Sequence, residues 1–314
     1  MAEVANNKSN RGLIAVILIF GVFAISSSAI FIRLAQDEQV PSLVIAAWRT
    51  LIAALILLPF ALTRRRTELT QLKRGDWALA LLAGVMLGLH FAAWISSLAL
   101  TSITSSTVFV ATVPLWVALA SPFLLGETLS HGLKIGIGLA FVGAVVIGLS
   151  DVLMLDNGRI AFNIAPTADA SNPLLGNLLA LTGAIAAATY MIIGRRLRQG
   201  LSLLSYTTVV YGMAAVTLVI GTIIARQSMF GFNPPVFLLF LAMALIPQLI
   251  GHSSFNWALN FLPAAFVSIA AISEPVGASV LAILFFQEFP GPVAIVGSVL
   301  ILVGVVMSSR RPTA

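Results

Sequence analysis

Residues 268–288 read SIAAISEPVGASVLAILFFQE, an apolar run with one acid at its centre and another at its end. An ionised acid at the centre of a bilayer costs roughly 2.5–3.5 kcal/mol. Glu274 must therefore be protonated, paired or in contact with water, and Pro275 beside it removes a backbone hydrogen bond and bends the helix. Backbone groups that lack a hydrogen-bond partner are tolerated in a membrane only where they face protein or a cavity. We expect this segment to lie inside a helical bundle, with Glu274 at a kink.

Nine further apolar runs of similar length accompany this segment. The chain of 314 residues is 59% hydrophobic and only 9% charged, whereas soluble proteins carry roughly 25% charged residues. Runs of about 17 to 25 apolar residues cross a bilayer as helices, and the first run is too long for the core of a signal peptide. The sequence therefore predicts an all-α polytopic membrane protein with ten transmembrane helices, near residues 13–35, 42–62, 77–98, 103–124, 133–150, 174–195, 203–225, 235–258, 264–286 and 291–308.

The basic residues indicate how these helices are oriented. With an internal N-terminus, Arg33, Arg159 and Arg226 are external and Arg49 lies inside a helix. The other 13 of the 17 Lys and Arg residues are then cytoplasmic. Cytoplasmic loops of membrane proteins carry an excess of basic residues. We therefore expect both termini in the cytoplasm.

The chain divides into two halves of five helices, which must be antiparallel because five is odd. The predicted units are a first repeat at 1–150, an external connecting loop at 151–173 and a second, inverted repeat at 174–314. An offset of 161 positions supports the duplication by aligning Leu98 with Leu259, Pro114 with Pro275, Glu127 with Glu288 and Gly143 with Gly304. Inverted repeats are the architecture of secondary transporters, which bind their substrate near the midplane between the repeats.

Three motifs resemble a known family. They are WRTLIAALILLP in the second helix, VPLWVALASPFLLGE in the fourth and SEPVGASVLAILFFQE in the ninth. Their order and spacing resemble the EamA branch of the drug/metabolite transporter superfamily over nearly the whole chain. The resemblance implies a ten-helix exporter of small metabolites in a plasma membrane, the inner membrane of a bacterium, and makes the aromatic amino acid exporters plausible relatives.

Two charged residues inside predicted helices are candidates for the transport site. Glu274 is interpreted as a proton or cation coupling site, or as a structural acid that pairs with another buried polar group and fixes the kink. Its equivalent in the first repeat is Val113, so the acid is an asymmetric addition. Arg49 could extend toward the headgroups, pair with a buried acid, or hold a substrate carboxylate with its planar fork of donors. The resemblance favours an architectural role for this arginine.

Polar and aromatic residues on other helices complete the predicted site. The eighth helix carries Gln248, His252, Asn256 and Asn260 at four-residue intervals, which form one slanted stripe. This stripe serves either interhelical hydrogen bonding or a cavity wall. His90, Trp94 and Ser97 share a face of the third helix, and Tyr190, Trp48 and Tyr211 are further candidates for the wall of a site for a planar substrate. Trp48 could instead belong to the aromatic belt at the membrane interface.

Two prolines and two series of small residues are predicted to have structural roles. Symmetry assigns Pro114 and Pro275 to hinge geometry shared by the two repeats. Small residues recur every four positions in the fifth and sixth helices, at Gly132, Gly136, Ala140, Ala144 and Gly148 and at Gly176, Ala180, Ala184 and Ala188. Such ridges let helices approach closely, either within the bundle or in a homodimer.

The sequence lacks the motifs that other classes of function require. It has no HExxH or GxSxG motif, no cysteine, and only three scattered histidines, His90, His131 and His252. An enzyme, a metal site and a cofactor are therefore not expected, nor is a nucleic-acid partner. The leading prediction is a secondary exporter of an amino acid or similar amphipathic compound that works by alternating access, with protons as a possible coupling ion. The alternatives are an uncoupled facilitator or exchanger, and a nucleotide-sugar or phosphate-ester carrier, which would need more buried cations than Arg49.

Overall fold

Helices make up almost all of the computed structural model, which describes residues 2–101, 106, 109–149, 153–156, 159–162, 172–286 and 291–309. The first half contains α1 (Ala2–Asp37), α2 (Ser42–Arg64), α3 (Arg66–Gln71), α4 (Arg74–Ser97), α5 (Val113–Leu124) and α6 (His131–Leu149). The second half contains α7 (Pro173–Arg198), α8 (Leu203–Ile224), α9 (Pro234–Met243), a π-helical segment (Ala244–His252), α10 (Ser253–Ala258), α11 (Ala264–Ala271), α12 (Glu274–Phe286) and α13 (Pro292–Ser309).

Six helical stretches of the described chain are long and apolar enough to cross a membrane. They are Gly12–Asp37, Ser42–Arg64, Arg74–Ser97, Leu174–Arg198, Leu203–Ile224 and Pro234–Ala258. Shorter apolar helices occupy the fourth, fifth, ninth and tenth predicted spans. The prediction of an all-α membrane protein is confirmed for the spans.

The fourth and ninth spans are interrupted helices. α5 begins at Val113 directly after a turn at 111–112, and α12 begins at Glu274 after a turn at 272–273. Pro114 and Pro275 are each the second residue of the helix that follows the turn. A proline fits this position because the first turn of a helix has no internal acceptor for its N–H groups. The two prolines therefore restart helices at matched positions of the two halves.

The connecting loop contains a small antiparallel sheet that sequence analysis missed. β1 (Leu153–Asp156) pairs with β2 (Arg159–Phe162), with Leu153 opposite Phe162 and Asp156 opposite Arg159. The sequence held the signal, because Asn-Gly stands between the strands and is the strongest short-range indication of a hairpin. The loop was interpreted only as a linker.

Helix packing repeats under exchange of the two halves. α1 packs on the π-helical segment and α12, just as α7 packs on α4 and α5. The pairs α2 with α8 and α6 with α13 are each made of two equivalent helices. Because each half crosses the membrane an odd number of times, equivalent helices run in opposite directions. The packing is that of an inverted repeat.

Glycines in α6 and α13 show this symmetry at atomic detail. A Cβ on Gly143 would lie 2.6 Å from the oxygen of Gly297 and 2.8 Å from the nitrogen of Ile301. A Cβ on Gly304 would lie 2.7 Å from the oxygen of Gly136 and 2.9 Å from the nitrogen of Ala140. The offset of 161 relates every residue of one contact to its counterpart in the other. This part of the small-residue ridge therefore packs within the chain, and the predicted homodimer, which stays a prediction, would need another surface.

We expect Gly143→Ala to lower the free energy of unfolding by about 1–3 kcal/mol, the usual cost of overpacking. The new methyl group would collide with backbone atoms of α13, which cannot move aside as a flexible side chain can. Gly138 in the same helix is the matched control, because a Cβ there meets nothing within 4 Å. Unfolding of the purified protein in detergent measures the effect. Equal stability of the two variants would contradict the tight contact between α6 and α13.

Candidate functional site

Arg49 is the centre of a buried polar cluster. It is the eighth residue of α2 and has no solvent-exposed surface. Its Nε donates to Oε1 of Gln248 at 2.8 Å, and its Nη1 donates to Oγ of Ser28 at 2.8 Å. The guanidinium also lies over the ring of Phe91, 4.2 Å from the ring centre. Of the predicted alternatives, extension toward the headgroups is therefore wrong, and no acid among the described residues forms an ion pair with Arg49.

The π-helical segment positions the partners of Arg49 on the eighth span. Pro247 lies inside this segment and cannot donate a backbone hydrogen bond. π-helical turns are uncommon and occur frequently at functional sites. The segment divides the predicted polar stripe: Gln248 contacts Arg49, His252 lines a cavity, and Asn256 bonds to Tyr190 and Tyr211. Asn260 lies beyond the end of α10.

A cavity of about 40 Å³ lies beside this cluster, between helices of both halves. α1, α4, the π-helical segment and the start of α12 contribute to its wall. The lining residues are Ile25, Ser28, His90, Trp94, Val110, His252 and Glu274. Four of these residues were candidates from the sequence. Ser28 was overlooked, although three consecutive serines inside an apolar helix were a visible signal.

Glu274 is the acid of this cavity. It begins α12, is partly buried, and its backbone oxygen accepts a hydrogen bond from Oγ of Ser26 at 2.8 Å. Within the described part of the chain its carboxyl group has no ion-pair partner. Arg49 is close enough to attract it electrostatically. The carboxyl group and the guanidinium thus lie near each other without forming an ion pair.

His90 and Trp94 form the aromatic side of the cavity, as their spacing of four residues predicts. Their rings are stacked with centres 5.9 Å apart and planes inclined by 7°. Nδ1 of His90 lies 3.0 Å from the carbonyl oxygen of Gly183. A carbonyl only accepts, so Nδ1 must carry the proton of this bond. His252 contacts Phe91 edge to face at 5.2 Å, so it is held against the ring on which Arg49 lies.

A second network lies next to this cluster. The hydroxyl of Tyr190 donates to Oδ1 of Asn256, and Nδ2 of Asn256 donates to the hydroxyl of Tyr211 at 3.2 Å. The Tyr211 hydroxyl also lies 3.1 Å from Oγ of Ser253. Tyr190, Asn256 and Tyr211 do not line the cavity. The structure therefore brings these three predicted site residues together, but beside the cavity.

Trp48 lies apart from both networks. Its Nε1 donates to the carbonyl oxygen of Met229 at 2.8 Å. Its ring stacks on Phe240, with ring centres 5.9 Å apart, and contacts Phe230 and Phe237 edge to face. Trp48 thus packs in an aromatic cluster near the start of α9.

The shorter of the two ion pairs among the described residues lies at one end of the bundle. This end, here called the basic face, comprises residues 64–74, 124–131, 195–203 and 258–264. Nε of Arg195 donates to Oε1 of Glu127 at 2.6 Å, and its Nη1 donates to the oxygen of Leu259 at 2.8 Å. Oε2 of Glu127 accepts from the nitrogen of Ala264 at 3.3 Å. Glu288, which the offset of 161 aligns with Glu127, lies outside the described residues.

A second acid joins the two halves at the basic face. Oε1 of Glu68 in α3 accepts from the nitrogen of Ser202 at 2.6 Å, and Oε2 accepts from its hydroxyl at 2.7 Å. Burial would raise the pKa of Glu68, but these hydrogen bonds, helped by Ser205 and the Arg65 guanidinium, hold the pKa below its usual value. Together with Glu127, this contact joins the two halves at the basic face.

We expect Glu127→Gln to destabilise the protein by about 1–3 kcal/mol, less than for a fully buried pair because both side chains are partly exposed. The exposed fractions are 15% for Arg195 and 17% for Glu127. A double-mutant cycle with Arg195→Gln isolates the interaction between the two residues. Additive effects in thermal unfolding would show that the pair contributes nothing to closing this face.

Comparisons with known proteins agree with this architecture. The profile of the EamA-like transporter family matches residues 12–149 and residues 174–310. An uncharacterized transporter of Bacillus subtilis (strain 168), YyaM, is 24% identical over 267 residues, which cover 84% of this chain and 83% of that protein. A solved structure, described only as the crystal structure of a protein, superposes with a TM-score of 0.72 at 18% identity. It covers 95% of this chain and 96% of its own.

The two family matches span most of the chain and leave out the connecting loop, where the β-hairpin lies. They fall on two sets of helices whose packing is related by an inverted repeat. The chain belongs to the EamA-like transporter family and is an integral membrane protein.

Proposed function

We propose that this protein is a secondary transporter that exports a small amphipathic metabolite, an amino acid or similar compound, by alternating access. The observation that carries the proposal is the buried cavity between the two repeats. Its wall holds a carboxyl group and two imidazoles, and Ser28 links it to the guanidinium of Arg49. Polar and ionisable residues inside a membrane mark substrate and ion pathways.

Arg49 and Gln248 support recognition of an acidic group. Nη2 of Arg49 and Nε2 of Gln248 are buried, and neither has a hydrogen-bond partner among the described residues. A buried donor without a partner costs about 1–3 kcal/mol, so a ligand that satisfies both donors gains that energy. A carboxylate has the acceptors required and matches the planar guanidinium. We assign the carboxylate of the substrate to this pair.

The size of the cavity supports alternating access. Ligand pockets of proteins usually have about 300–1,000 Å³, whereas this cavity has about 40 Å³. An amino acid therefore requires the repeats to move apart, and the bonds of Glu127 and Glu68 hold them together at the basic face. In this proposal the interrupted helices at Pro114 and Pro275 supply the hinges.

The orientation follows from the same distribution of charge. The basic face carries Arg64, Arg65, Arg66, Lys73, Arg74, Arg195, Arg196 and Arg198. We assign this face to the cytoplasm, because cytoplasmic loops carry the excess of basic residues. Both termini are then cytoplasmic, and the membrane is a plasma membrane, the inner membrane of a bacterium.

A binding screen followed by a transport assay tests the function. A ligand that binds only the folded protein raises its apparent stability, so thermal unfolding of the purified protein is measured against amino acids, purines and cationic drugs. Stabilising compounds are then loaded into liposomes that contain the protein, and uptake of labelled compound in exchange is followed. Stabilisation by amino acids together with their exchange supports the proposal. Exchange of purines or drugs alone would contradict the assigned substrate class, and no exchange of any stabilising compound would contradict transport through this cavity.

A further inference from the structure

A second and larger cavity, separate from the central one, opens at the basic face. This crevice has a volume of about 680 Å³ and lies between α2, the start of α8 and the eighth span. Its lining residues are Leu57, Arg64, Arg65, Ser202, Leu203, Leu204, Thr207, Leu249 and Ser253. Leu249 stands nine positions before the end of α10, and six of these positions form α10 itself, which spans roughly 9 Å at 1.5 Å per residue. One leaflet contributes about half of the 30 Å hydrocarbon core, so the crevice extends through more than half of one leaflet.

The crevice exists because the two repeats differ at matched positions. In the first half, Gly84 and Gly88 let α4 lie directly against α8: a Cβ on Gly84 would be 2.7 Å from the oxygen of Val210. The offset of 161 places Leu245 and Leu249 at these positions in the second half. A leucine side chain leaves less room for a close approach than a glycine does, and Leu249 lines the crevice. The π-helical segment accordingly contacts α2 much less extensively than α4 contacts α8.

The wall of the crevice offers a ligand mainly hydrocarbon. Each hydroxyl that lines it already has a partner within the chain. Thr207 donates to the oxygen of Leu203 at 2.8 Å, Ser253 bonds to Tyr211 at 3.1 Å, and Ser202 donates to Glu68 at 2.7 Å. The rest of the interior surface is leucine. Such a wall suits an apolar chain better than a sugar or an amino acid, whose polar groups would lose their hydrogen bonds to water.

The mouth of the crevice is positively charged. The guanidinium of Arg64 lies 5.7 Å from the centre of the Phe60 ring, and Nε of Arg65 is 3.9 Å from Oε2 of Glu68. Arg65 is half exposed, so this ion pair is weak. Both carboxylate oxygens of Glu68 already accept from Ser202. Two guanidinium groups therefore remain available at the level of the headgroups, at the entrance to an apolar crevice.

We propose that this crevice binds an anionic phospholipid of the leaflet at the basic face. One acyl chain fills the space along Leu57, Leu204 and Leu249, and the phosphate lies between Arg64 and Arg65. The bound lipid occupies the gap that the leucines open between α2 and the eighth span. The site stands apart from the central cavity and does not depend on the transport proposal.

Native mass spectrometry of the full chain, released from nanodiscs of equal phosphatidylglycerol and phosphatidylcholine, tests the site. Each basic residue near an anionic headgroup contributes about five-fold in affinity, so the two arginines should give roughly 25-fold preference for phosphatidylglycerol. Arg64→Gln with Arg65→Gln should abolish this preference. Arg74→Gln, which removes an exposed arginine of the same face that does not line the crevice, should keep it. Leu249→Trp should reduce retention of both lipids by filling the interior.

Three outcomes would overturn the proposal. The first is a preference for phosphatidylglycerol that survives loss of Arg64 and Arg65, or that falls as much in Arg74→Gln. The second is unchanged lipid retention in Leu249→Trp. The third is displacement of the lipid by millimolar inorganic phosphate, which would show that a free anion at the arginines is bound without any chain in the crevice.

Discussion

Glu274→Gln should abolish uphill transport driven by a pH gradient while leaving downhill exchange intact. Glutamine has nearly the same shape but cannot take up or release a proton. One pH unit corresponds to about 1.4 kcal/mol per proton, which sustains roughly a ten-fold concentration ratio in one-for-one exchange. We expect the wild-type protein in liposomes to approach this ratio and the variant to stop at equal concentrations. The reason is structural: Glu274 is the one carboxyl group among the described residues that line the cavity.

Two controls make this result specific. Glu38→Gln removes an exposed acid that directly follows α1 and does not line the cavity, and it should leave accumulation unchanged. Downhill exchange by Glu274→Gln shows that the variant is folded and inserted. Accumulation by the variant at the wild-type level would rule out coupling through this acid. It would favour a structural role for Glu274 at the start of α12, in an uncoupled facilitator or exchanger.

Arg49→Met should weaken binding of the transported amino acid by about 10- to 150-fold, the range that corresponds to 1.5–3 kcal/mol for a hydrogen-bonded charged group. Methionine keeps an apolar chain of similar length against Phe91, so the packing of the cluster is largely retained. Arg49→Lys keeps the charge but loses the planar fork, and should recover only part of the affinity. Equilibrium binding to the purified protein measures these effects.

The decarboxylated amine of the same amino acid separates recognition from general damage. If Arg49 binds the carboxylate, the wild-type protein should prefer the amino acid to its amine, and Arg49→Met should lose that preference while still binding the amine. Arg33→Met, at an exposed arginine of α1, should behave as wild type. Equal losses for the amino acid and the amine would show that Arg49 supports the architecture of the site, as the family resemblance alone implied.

Sequence analysis located the helices well because a membrane span is a local property. The interruptions at Pro114 and Pro275 were also visible, since proline acts on its own turn. Details that depend on contacts between distant segments were not visible in the sequence. Sequence analysis proposed a buried acid as one partner for Arg49, whereas the partners are Ser28 and Gln248, which are 21 and 199 positions away.

The sequence by itself determined the membrane class, the ten apolar runs, the two matched halves and the polar residues that the bilayer interior must accommodate. Apolar runs and repeated motifs are patterns along the chain, so they can be recognised in the sequence without knowledge of the fold. Only the tertiary structure decided which polar residues meet. It brought Glu274, His90, Trp94 and His252 to one cavity, placed Trp48 in an aromatic cluster, and changed the geometry of the eighth span through a π-helical segment. The physical reason is that each buried donor or acceptor takes whichever partner the opposite half presents, and that choice is made by packing between helices far apart in sequence.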